Sequence, residues 1–259
     1  MTMTAHEDRT TPPRAGLDAS RGLQWWSGAL TGLFGTTGQL GTWVLMALAY
    51  IVLSLMLHLI PVLGFVSSLP LNFVFSGGLL LAASRTARGA VPPFADLFAG
   101  FGARAGPLLS AGILVFLACM AVFLGMLMVG AWAVISAVVG GLLDTMTLPD
   151  PTAWGIGLGT AGALLLCLLA LVPISMAAWL APALIMMRGV APVDALRMSL
   201  TACQRNLGAL TVYGLVGILF AVAATLLLGL GWLVVVPLIY LSTFAAYEDI
   251  FGVAVEVLP

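Results

Sequence analysis

Few residues in this chain have the types and spacing that chemistry needs. His58 is the one histidine outside the N-terminal tail, and a metal site requires several ligands held together. Cys119, Cys167 and Cys203 stand far apart with no C-x-x-C spacing, so neither a zinc site nor a disulfide framework is indicated. They read as small apolar packing residues. Serines are plentiful, but a Ser-His-Asp arrangement cannot be built from one usable histidine and no acid inside an apolar run. Gly157-Leu-Gly159-Thr-Ala-Gly162 spells G-x-G-x-x-G, yet a dinucleotide fingerprint needs a strand before it and an acid about 20 residues on. Here the glycines open an apolar run and read as small residues that let helices approach closely. No cofactor, metal or catalytic residue is expected, and the chain is expected not to be an enzyme.

Asn72, Ser76 and Ser175 are polar residues in the middle of apolar runs. Such residues either hydrogen-bond between helices, at ~0.6 kcal/mol on average, or line a solute cavity. No Asp, Glu, Lys or Arg stands centrally in any apolar run, which removes the usual parts of a proton relay or charge-coupled pump. Glu248 and Asp249 lie at the end of the last run, where a helix dipole disfavours negative charge. They call for cations, with Arg88 and Arg188 the expected partners. Arg104, Arg197 and Arg205 are further expected contacts for headgroups or carboxylates.

Membrane helices must position these side chains. Of 259 residues, 62% are hydrophobic and 7% charged, against about 25% charged in an ordinary soluble domain. Mean hydropathy is +1.16. A soluble core has no room for so much apolar surface, whereas lipid has. At 1.5 Å per residue, ~20 residues cross the ~30 Å hydrocarbon layer. The expected fold is all-α: a polytopic membrane protein with six transmembrane helices at about 43–60, 65–83, 107–139, 153–187, 208–228 and 232–247, in one domain over 20–252. The third run is long enough to tilt or project. The fourth, interrupted by Pro173 and Pro182, either kinks or breaks into a span plus an interfacial piece. Residues 140–152, with Asp144 and Asp150, read as a polar loop. Residues 1–19 read as a disordered tail without signal-peptide character, and 253–259 as a second tail.

Three polar connectors complete the pattern, each expected to form an amphipathic interfacial helix. Residues 20–36 place Leu23, Trp26, Leu30 and Leu33 on one helical face, with Trp25 and Trp26 suited to headgroup level. Residues 89–106 open at Pro92-Pro93 and put Phe94, Leu97, Phe98 and Phe101 on one face. From Pro192, an apolar stripe of Val193, Leu196, Leu200, Cys203 and Leu207 opposes Asp194, Arg197, Thr201 and Gln204. All nine basic residues are arginine, and all lie before the first span or beside the second and third connectors. The other three connections have none, so the positive-inside rule puts both termini in the cytoplasm. Arg88-Gly89-x-x-Pro92 recurs as Arg188-Gly189-x-x-Pro192, which predicts a parallel internal repeat.

Several motifs carry a resemblance: Leu79-Leu-Leu-Ala-Ala-Ser-Arg85 leading to Arg88-Gly89, Asp96-Leu-Phe-Ala-Gly-Phe101, Ala181-Pro-Ala183, Arg188-Gly189, and Ser242-Thr-Phe-Ala-Ala-Tyr-Glu-Asp-Ile-Phe251. Over about residues 20–251 the chain resembles a family of bacterial inner-membrane proteins that carries no established activity. It is more distantly similar to the membrane domain that accompanies some glycerophosphodiester phosphodiesterases, whose catalytic residues belong to a separate domain. The family pattern has tyrosine where Phe244 stands and often a non-acidic residue at 248. The resemblance implies topology and an inner-membrane location.

Taken together, these features predict a non-enzymatic integral membrane protein that organises lipid or partner proteins at the cytoplasmic face. Basic residues near anionic lipid contribute ~1 kcal/mol each. The alternative is a carrier or channel for a small uncharged or amphipathic solute, with a cavity near Asn72 or Ser175. Membrane lipids are the expected partners. Nucleic acid is not, because no strongly basic domain exists.

Overall fold

The computed structural model describes residues 12–35, 37–143 and 151–252. Helices follow the apolar runs: α1 Arg21–Phe34, α2 Gln39–His58, α3 Pro61–Ala87, a 3-10 helix Phe94–Phe101, and α4 Ala105–Leu143. Next come α5 Pro151–Ala183, continued by a π-helical turn Leu184–Arg188, then α6 Pro192–Arg205, α7 Leu207–Leu226 and α8 Trp232–Phe251. No strand occurs among the described residues. Among the described residues, six helices are long and apolar enough to cross a membrane, over Gln39–His58, Gly64–Ala87, Ala105–Ser136, Gly159–Arg188, Leu207–Leu226 and Trp232–Phe251. Of the expected loop at 140–152, residues 140–143 continue α4 and 151–152 begin α5. Asp144 and Asp150 lie outside the described residues.

The chain forms two compact units, residues 1–113 with 176–259, and residues 114–175. In the second unit α4 and α5 are apolar all round, with Leu117, Met128, Trp132, Ile135, Leu166 and Leu169 exposed. That is the pattern of helices whose solvent is lipid. Gly125 packs near the Cys167 sulfur. Gly159 and Gly162 of the G-x-G-x-x-G run lie inside α5 and face open space, so the close helix approach expected of them is absent there. Pro173 neither breaks α5 nor ends it; the helix runs unbroken through Pro182 to Ala183.

In the first unit α3 and α8 form the core. Half of the apolar window of α3 and 61% of that of α8 are buried, against 17% for α2 and α7. Glycines let the second connector press on α3. A methyl on Gly78 would overlap the Asp96 carbonyl oxygen, and one on Gly100 would overlap that of Val74. Gly78 lies about 13 Å before the end of α3 at 1.5 Å per residue, so this connector runs back along α3. Its 3-10 winding, three residues per turn, aligns i with i+3. Leu97 and Gly100 therefore go inward together, while Phe94, Phe98 and Phe101 stay partly exposed. The single four-residue face predicted from a 3.6-residue period is split.

The other two connectors are likewise rotated from their predicted faces. α6 buries Ala195, Ser199, Ala202 and Cys203, whereas Val193 and Leu207 are exposed. The Ser199 hydroxyl accepts from Leu180 N at 3.0 Å and donates to Met176 O at 2.6 Å, so it is wedged into the hydrogen-bond ladder of α5. Cys203 Sγ donates to the same carbonyl at 3.5 Å. Burial pushes the Cys203 thiol up to about 12, as befits a packing residue with no thiolate chemistry.

α1 has three faces. Gly22, Trp25, Trp26, Ala29 and Leu33 are buried against α7 and α8. Gly22 sets the approach, since a methyl there would overlap the Ala209 carbonyl oxygen and stand 2.7 Å from Tyr213 N. Trp26 stacks on Tyr213 with ring centroids 5.0 Å apart and donates Nε1–H to the Tyr213 carbonyl at 3.0 Å. Trp25 and Trp26 are thus core residues whose indole N–H groups are satisfied by protein rather than by water. Leu23, Leu30 and Phe34 share a second face, which is exposed. Gln24, Gly28, Thr31 and Gly35 share the third.

Part of the expected disordered tail is ordered. Asn206, buried between α6 and α7, accepts from Leu17 N at 3.0 Å and donates to Arg14 O at 2.8 Å. Arg14 N donates to Ile250 O, and Gly16 N to Arg205 O. Residues 14–17 are thereby stitched to α8 and to the α6–α7 junction. Residues 1–11 and 253–259 lie outside the described residues.

Candidate functional site

A group of polar side chains gathers where α1, the start of α2, the end of α3 and the end of α8 meet. Two adjoining clefts open there, of about 590 Å³ and about 450 Å³. Gln24, Ala245 and Glu248 line both. The larger is lined also by Ser27, Gly28, Thr31, Gly32, Gln39, Thr86 and Phe244. The smaller adds Arg14, Arg21, Trp25, Asp249 and Gly252.

The end of α8 organises the charges. Asp249 is held by Arg21 in a two-pronged pair, Nε to Oδ2 at 2.7 Å and Nη2 to Oδ1, and by Trp25 Nε1 at 2.9 Å. Bidentate guanidinium–carboxylate geometry is among the stronger ion-pair arrangements. The pair raises the Arg21 pKa further. Arg188, expected as a partner of these acids, instead donates from Nη2 to the Phe251 carbonyl at 3.1 Å and from Nε to the Tyr247 hydroxyl at 3.2 Å. Its guanidinium lies 5.1 Å from the Phe251 ring centroid and 5.8 Å from that of Tyr247. A cation at a helix C-terminus meets unpaired carbonyls and the negative end of the dipole, which explains this choice over the carboxylates. Arg14 packs over Gly252, the left-handed residue that ends α8, at 3.0 Å from a methyl placed there. Arg104 does the same over Gly189, with Nη1 2.6 Å from such a methyl. Arg88, Arg197 and Arg205 are exposed. Glu248 is half-buried, and Arg88 is the cation whose charge acts on it.

Two residues of the site had no mark in the sequence as site residues. Gln39 opens α2 and is 1% exposed, yet its Nε2 has no hydrogen-bond partner. A polar residue beside a short turn reads as solvated surface, so only the fold shows it buried. Arg21 is 228 residues from Asp249, a separation that no local pattern reports.

The predicted mid-span residues lie elsewhere. Asn72 Nδ2 donates to the Tyr50 hydroxyl at 2.6 Å, Ser76 Oγ donates to Asn72 Oδ1 at 3.3 Å, and Ser76 Oγ lies 3.1 Å from the Tyr240 hydroxyl. These bonds tie α2, α3 and α8 together. Ser175 is exposed, donates to Val172 O of its own helix at 2.8 Å and lines neither of the two clefts. His58 is exposed and bonds the Ser54 carbonyl one turn back. No group of three or more metal-ligating side chains occurs among the described residues.

The chain is similar to a "probable inner membrane protein" of Burkholderia thailandensis, with 37% identity over 99 residues. That match covers 31% of this chain and 36% of the relative, so it spans about a third of that protein's length. No family model and no solved structure matches the chain.

Proposed function

We propose that this is a non-enzymatic, multi-pass inner-membrane protein that holds phospholipid at the cytoplasmic, arginine-bearing end of its bundle. The observation that carries the reading is the three-faced α1. Its exposed stripe of Leu23, Leu30 and Phe34 runs beside its polar face of Gln24, Gly28 and Thr31, which walls the larger cleft. Such a helix presents acyl chains with an apolar surface and a headgroup with a polar one, side by side. The nine arginines and the positive-inside rule support a cytoplasmic placement, where anionic lipid adds attraction. The relative's name supports the inner membrane.

Gly28 provides a test that spares the fold, because nothing lies within 4 Å of a methyl added there. Leucine at that position would fill the cleft and raise helix propensity by up to ~1 kcal/mol. Native mass spectrometry of the full chain should show retained phospholipid for the wild type and its loss in Gly28→Leu. Equal retention by both proteins would contradict the reading.

A further inference from the structure

The larger cleft has features that point to a particular headgroup chemistry. One buried side chain that lines it is left with an unmet donor: Gln39, 1% exposed, whose Nε2 has no hydrogen-bond partner. A buried donor left without a partner costs free energy, and a ligand acceptor would remove that cost. The acid that lines it is Glu248, half-buried and shared with the smaller cleft. Gln39 belongs to the larger cleft alone. The pocket thus offers an amide donor and, toward its junction with the second cleft, a carboxylate acceptor. Nearby, Asp249 is already engaged by Arg21 and Trp25, which leaves Glu248 as the carboxylate that faces the larger space.

We propose that this cleft binds a zwitterionic aminophosphate headgroup, with the ammonium on Glu248 and a phosphate oxygen on the Gln39 amide. The proposal rests on the lipid-holding reading above and gives it a ligand class. A primary ammonium supplies N–H donors that a glycerol headgroup lacks, and its bond to a carboxylate is of the stronger, charge-assisted kind. A volume of about 590 Å³ lies within the range of small-molecule sites. On α1, Gly28 leaves open space between the cleft-lining side chains of Gln24 and Thr31.

The same chemistry could come from phosphatidylethanolamine or from free O-phosphoethanolamine, and the experiment separates them. The full chain would be reconstituted in nanodiscs of equal parts phosphatidylethanolamine and phosphatidylglycerol, and the co-purified lipid measured by native mass spectrometry. The wild type is expected to enrich phosphatidylethanolamine about tenfold, the scale of one charge-assisted hydrogen bond. Glu248→Gln should keep bound lipid but lose the preference, and Gln39→Leu should weaken retention of both lipids. Competition by free O-phosphoethanolamine would identify the headgroup alone as sufficient; its absence with lipid enrichment intact would assign the site to the membrane lipid. Retained lipid with no preference, or a preference untouched by Glu248→Gln, would overturn the headgroup assignment alone. No retained lipid at all would overturn the lipid-holding reading itself.

Discussion

Asp96 is nearly buried beside the end of α3, with Arg85 Nε 3.1 Å from Oδ2 but its N–H not directed at that oxygen. Burial pushes the carboxyl above the ordinary range, and Arg85 pulls it back only in part. A native value above the unfolded one means that the native state binds the proton more tightly. The stabilisation from this group is therefore full at low pH and is lost as pH rises through the native value. Thermal unfolding of the detergent-solubilised chain should show a Tm advantage below that value for the wild type, and Asp96→Asn should flatten the difference. The same slope in both proteins would assign the pH dependence to other groups. At this scale the sequence showed that a polar side chain in an apolar run needs a partner, and Asn72 and Ser76 do form interhelical hydrogen bonds, one of the two readings open to them. It did not show which residue the partner is, as with Tyr240 for Ser76, Asp249 for Arg21 and residues 14–17 for Asn206.

Element existence was plain from hydrophobicity, because a run of about 20 apolar residues has few alternatives to a membrane helix. The inward faces were not plain. In α1, α6 and the 3-10 helix, small residues decide which side packs: Gly22 and Ala29, Ala195 and Ser199, Gly100. Hydrophobic patterning ranks leucine above glycine, yet close backbone approach requires the reverse, and lipid tolerates the leucines left outside. Gly22 and Gly28 give a matched contrast on one helix. Gly22→Leu would drive a side chain into the backbone of α7 and should cost about 1–3 kcal/mol as overpacking. Gly28→Leu should leave Tm unchanged or raise it, since space is open there. A Tm loss of equal size in both variants would contradict the packing assigned to α1.

Across the whole chain, the nine arginines set a testable orientation. Arg197 and Arg205 are exposed. In a background with Cys119, Cys167 and Cys203 replaced by alanine, Arg197→Cys should react with a membrane-impermeant maleimide only after the inner membrane is opened. Labelling in intact spheroplasts would reverse the proposed topology. Gly89 and Gly189 both take left-handed conformations, φ +76° and +63°, directly after Arg88 and Arg188. The two connectors then differ, since a 3-10 helix follows Pro92-Pro93 and a 14-residue α-helix follows Pro192. Pro93 disfavours the α region for the Pro92 before it, so no α-helix starts at Pro92 as one does at Pro192.

The most direct measurement of the central claim is a cryo-EM map of the full chain in nanodiscs that contain phosphatidylethanolamine. Headgroup density is expected in the cleft between Gln39 and Glu248, continuous with acyl density along Leu23, Leu30 and Phe34. A cleft that holds only water, or that is closed, while ordered lipid occupies other surfaces of the bundle, would contradict it.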